Sequence, residues 1–99
     1  MMSDRNVPDV IEKTMSASPA EFHRSIAVLD ASLTPALTHT FAFNNGTITV
    51  TYKALPGVTL GTLLALPRAR VTVRFAGVPP AARAEFMCRF DLAFQRGGG

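Results

Sequence analysis

Residues 36–55 read ALTHTFAFNNGTITVTYKAL, two apolar–polar alternations joined by Asn-Asn-Gly. Strict alternation is the mark of a strand with one buried face, and Asn-Gly favours the positive φ angles of a two-residue hairpin turn. With Asn45 and Gly46 as the central turn residues, Phe43 faces Ile48, Phe41 faces Val50, His39 faces Tyr52 and Leu37 faces Ala54. The opposite face then pairs Thr40 with Thr51 and Thr38 with Lys53. Apolar positions meet apolar or aromatic ones throughout, whereas a one-residue slip mixes the faces. A hairpin is therefore the centre of the fold.

On its N-terminal side, SPAEFHRSIAVLDASL begins at Ser18 with a Ser-x-x-Glu capping box and a proline at the first helical position. Phe22, Ile26, Leu29 and Leu33 follow at helical spacing, and Pro35 closes the helix by about Ser32. Residues 1–17 have no sustained apolar period and read as a flexible N-terminal segment ahead of a single domain, 18–99.

On the C-terminal side, residues 55–67 (LPGVTLGTLLALP) are bounded by prolines and fit a short helix or an irregular strand equally well. RARVTVRFAG, 68–77, alternates again and predicts a strand ended by Gly77. FMCRFDLAFQRGGG, 86–99, alternates as a strand would, yet its phenylalanines also recur every fourth place. Pro79-Pro80 at a helix start, strong helix formers and a glycine where a left-handed cap falls favour a helix over 80–96. Gly98 and Gly99 then form a frayed end. The fold class is α+β: a two-layer sandwich, with an antiparallel sheet of three or four strands and two helices on one face, in the order α-β-β-x-β-α.

The chain has 99 residues and a formal charge of +3. Residues 1–65 carry net −1 and residues 66–99 net +4, the latter from six arginines against Glu85 and Asp91. Such asymmetry raises the expectation of an anionic partner. The N-terminus lacks a signal-peptide core, no apolar run has membrane-spanning length, and the lone Cys88 has no disulfide partner. A cytoplasmic, membrane-free location is expected.

His23, His39 and Cys88 stand sixteen and forty-nine positions apart, without the close pairs that zinc sites use. His39 has the apolar parity of its strand, where a histidine is ordinarily hydrogen-bonded to a neighbour, and Cys88 reads as a small buried or boundary residue. No nucleophile has an evident base, no carboxylates pair, and no glycine-rich loop opens a helix. No catalytic, cofactor or metal residues are expected, and the chain reads as a non-catalytic protein.

Two binding surfaces remain. Leu60, Leu63, Leu64 and Leu66 of the connector exceed what a small core needs, which points to a protein partner or a homo-oligomer. The alternative is nucleic-acid or polyanion binding by the open sheet face, where Lys53, Arg70 and Arg74, with Arg68, stand among threonines. That face carries no aromatic ring, which removes the base stacking of sheet-type RNA readers.

Overall fold

The capping box forms as the sequence dictates. In the computed structural model, which describes residues 7–32, 36–61 and 64–97, the Glu21 amide donates to Ser18 Oγ at 3.2 Å and the Ser18 amide donates to Glu21 Oε1 at 2.8 Å. Helix α1 runs Pro19–Leu29, with Asp30 as its C-cap, and buries Phe22, Ser25 and Ile26. Two side-chain and backbone hydrogen bonds from Ser32 hold the Asp30 carboxyl below its ordinary pKa. Leu33, Pro35, Leu63, Gly98 and Gly99, which the sequence reading uses, lie outside the described residues.

Four strands follow from the remaining patterns: β1 (Val10–Met15), β2 (Thr38–Phe43), β3 (Gly46–Leu60) and β4 (Leu64–Ala76), with α2 (Pro80–Gly97) last. All neighbours are antiparallel, in the order β1-β4-β3-β2. The fold is α+β, with both helices over one face of an open sheet.

Two readings of the strands change and a third is resolved. First, the flexible segment 1–17 contains a strand, β1, which pairs Val10 with Arg74 through Met15 with Ala69. Its six residues look unremarkable because Lys13 occupies a core-facing register position; the sheet edge lets its amine reach Asp91 of α2 at 3.4 Å. Arg83 ties down the preceding residue by donating to the carbonyls of Val7 and Val78.

Second, the hairpin turn is Asn44-Asn45, both left-handed with φ of 49° and 63°, and not Asn45-Gly46. Phe43 therefore faces Gly46, Phe41 faces Ile48 and His39 faces Val50. The partner shift is two residues, so every side chain keeps its face.

Third, the connector 55–67 takes the irregular-strand reading and not the helical one, with a register shift between Leu55 and Val58. It extends β3 and β4 into a two-stranded arm.

The core joins Phe22 and Ile26 of α1, alternate residues of β3 and β4, and Ala82, Phe86, Met87 and Phe90 of α2. This confirms the helical reading of the Phe86–Phe90 segment. Cys88 is exposed, not a boundary residue, because it falls on the outer side of that helix. Tyr52 Oη, buried, donates to the Ala17 carbonyl at 2.7 Å; burial and then the Glu21 carboxylate raise its pKa, so it remains a donor. His39 is also buried, but its Nε2 has no hydrogen-bond partner, contrary to the expectation from its parity. It stacks near His23 at 6.3 Å between ring centroids, and Phe22 lies on it at 5.9 Å.

Ser25 is wholly buried and its Oγ likewise lacks a partner. Desolvating an unpaired hydroxyl costs about 1–3 kcal/mol, and alanine is the better helix former. Ser25→Ala is therefore expected to stabilise the protein by about 1 kcal/mol, read as a rise in the urea midpoint at unchanged m. A lower midpoint would show that the hydroxyl is satisfied after all.

Candidate binding surfaces

The open sheet face is built row by row from the register. Arg74 lies between Val10 and Thr49, Thr72 between Glu12 and Thr51, and Arg70 between Thr14 and Lys53. Arg68 lies opposite Leu55. The structure thus brings all four sequence-predicted cations, Lys53, Arg68, Arg70 and Arg74, to one face, three of them along β4 at alternate or next-alternate positions. Among the described residues none of the four makes an ion pair or side-chain hydrogen bond. Lys53 directly opposes Arg70, a like-charge cross-strand pair that is unfavourable by itself. Glu12, on the edge strand, is the acid that shares the face. Thr40 and Thr49 join their hydroxyls at 3.2 Å. The phenyl and phenol rings of the sheet, Phe41, Phe43, Tyr52 and Phe75, pack with the core on the other side.

The arm begins where β1 ends, since Met15 pairs with Ala69 and nothing in β1 pairs beyond it. From there β4 has a free edge, which is why Pro67, lacking an N–H, is tolerated. Ser16 Oγ donates to the Pro67 carbonyl at 3.0 Å and marks the base of the arm. A bulge follows: β3 advances from Leu55 to Val58 while β4 goes back from Arg68 to Leu66. The one extra residue in β3 reverses its parity. Leu55 and Val58 thereby share the face of Leu66, and Leu60 stands opposite Leu64 in the register. Gly57 is required in the bulge, since a Cβ there would come within 2.9 Å of the Leu66 carbonyl oxygen.

Of the four leucines singled out in the sequence, Leu66 is 37% exposed, Leu60 and Leu64 form the last register pair, and Leu63 lies outside the described residues. Leu55 and Val58, half-buried members of the same stripe, escape a reading by composition because their common face depends on the bulge. The uncharged run Ala54–Pro67 was the available signal.

Elsewhere, a cleft of about 500 Å³ opens beside β1, lined by Val7, Val10, Ile11, Glu12, Lys13 and Met87 among others. Another of about 240 Å³ lies against Leu29, Phe41, Phe43, Phe86 and Arg89. Neither has a histidine, serine or cysteine in its lining. Among the described residues no three His, Cys, Asp or Glu side chains converge to hold a metal, and no helix is long and apolar enough to cross a membrane. No protein-family model matches the chain, and neither a curated protein nor a solved structure matches it.

Proposed function

We propose that the protein is a non-catalytic binding protein that self-associates through the β3–β4 arm. The observation that supports this reading is the arm itself: a two-stranded ribbon beyond the end of β1, with Leu55, Val58 and Leu66 on the open face of the sheet, opposite the helices. A two-stranded ribbon is marginal alone in water, and covering its apolar stripe stabilises it.

A second copy suits the stripe better than a charged partner. Ala54–Pro67 contains no charged residue, so the arm gains nothing from ion pairs and is matched by an equally uncharged apolar ribbon. Two arms related by a two-fold axis supply such a surface to each other. Six residues of strand span about 20 Å and two strands about 10 Å, so each copy contributes on the order of 200 Å². That is below a standard interface, and the dimer is correspondingly weak and concentration-dependent. The exposed, unpaired thiol of Cys88 suits the reducing cytoplasm.

Sedimentation velocity over a wide concentration range tests the proposal. A monomer–dimer equilibrium insensitive to salt is expected, weakened at least about tenfold by Val58→Glu/Leu66→Glu, which removes at least about 1.4 kcal/mol. A monomer at all concentrations, or a dimer indifferent to these substitutions, overturns it.

A further inference from the structure

We propose that the open sheet face is a site for double-stranded nucleic acid, contacting phosphates through Lys53, Arg68, Arg70 and Arg74. It adjoins the apolar stripe of the arm on the same face, since Leu55 of that stripe opposes Arg68. It rests on charge complementarity. Four cations without ion pairs among the described residues sit on two adjacent strands about 5 Å apart and spread over about 20 Å along β4. The opposition of Lys53 to Arg70 is relieved when an anion lies between them. Along β4, Arg68 and Arg70 project to the same side with a repeat of roughly 6.5 Å, comparable to the separation of successive phosphates in a strand. Thr14, Thr49, Thr51 and Thr72 surround these cations with neutral hydroxyl donors, a common complement in phosphate contacts.

The absence of rings from this face selects the kind of nucleic acid. Single-strand binders stack bases on aromatic side chains, and the phenyl and phenol rings of the sheet are here turned into the core. A backbone-only surface recognises the polymer with the higher charge density, the duplex, and reads no sequence.

Four phosphate contacts predict a slope of about −3.6 in a plot of log affinity against log salt, or about 150-fold weaker binding between about 50 mM and 200 mM salt. Fluorescence anisotropy with a labelled mixed-sequence DNA duplex measures it. Arg70→Ala/Arg74→Ala should halve the slope, leaving only about 12-fold salt weakening over the same range. Arg89→Ala on the helical layer, where the guanidinium pairs with Glu85 at 2.9 Å, should leave the slope unchanged. Both variants are checked by thermal melting, so that a folding defect is not read as lost binding. No duplex binding at low salt overturns the proposal. So does an equal response to Arg89→Ala, which would reduce the effect to net charge. Equal or tighter binding of a single strand or of poly-glutamate also overturns it, because the site would then recognise something other than duplex phosphates.

Discussion

Phe86→Ala is expected to lower the unfolding free energy by about 4 kcal/mol, near the upper part of the range for a fully buried phenylalanine. Phe86 is 2% exposed, and four rings surround it: Phe43 at 5.6 Å, Phe41 at 5.7 Å, Phe75 at 5.8 Å and Phe90 at 6.2 Å. These come from β2, β4 and α2, so the ring is where the edge of the sheet, its centre and the second helix meet. Collapse of the site is hindered because the strands are held by their ladders, and the cavity persists. The loss approaches the whole stability of a domain this size, and equilibrium urea unfolding should show a midpoint near zero denaturant or a chain already unfolded. Phe86→Leu, which retains most of the volume, should fold and lose considerably less. A loss below about 1.5 kcal/mol for the alanine variant would mean that the helix and sheet do not meet around this ring.

Gly46→Ala should be nearly as damaging, at about 3 kcal/mol. A Cβ at this position would stand 2.5 Å from the Ala76 carbonyl oxygen, 2.6 Å from Val78 Cγ2 and 2.7 Å from the Gly77 carbonyl carbon. Two of these are backbone atoms at the end of β4, so relaxation requires moving the ladder. The turn residues distinguish this cause from a conformational one. Asn45→Gly should be neutral or slightly stabilising because glycine occupies φ near 63° without penalty. Asn44→Val should cost about 1–2 kcal/mol through its left-handed φ. If Gly46→Ala melts with the wild type, the close crossing of β3 and β4 at this point does not exist.

Gly46 also shows how far the sequence reaches. The alternation in 36–55 specifies which side chains face the core, and the paired residues of β2 and β3 keep those faces, whereas Leu37 lies ahead of β2 and is exposed. It cannot distinguish registers that differ by two, because both leave the faces intact. In the observed register β4, thirty residues onward, passes so close that position 46 has room only for hydrogen, a constraint outside the hairpin's own sequence. The cap at Ser18 was legible because its donors and acceptors are three residues apart. β1 was not, since Lys13 breaks its apolar face and the compensating Asp91 is remote in sequence. The same holds for the surfaces. Alternation alone aligned Lys53, Arg70 and Arg74, whereas the stripe of Leu55, Val58 and Leu66 needed a one-residue bulge that prolines and glycine permit but do not announce.

The position of β1 at the outside of the sheet bears on how the chain is made. Its partner is β4, so this early strand leaves the ribosome long before anything exists for it to pair with. At about 5–20 residues per second the interval is on the order of seconds. During that wait β2, β3 and β4 can close successively as hairpins, while the charges of Glu12 and Lys13 disfavour pairing of the short segment with a neighbour's nascent chain. The residues that hid the strand from pattern recognition are thus the ones that protect it until its place in the sheet is ready.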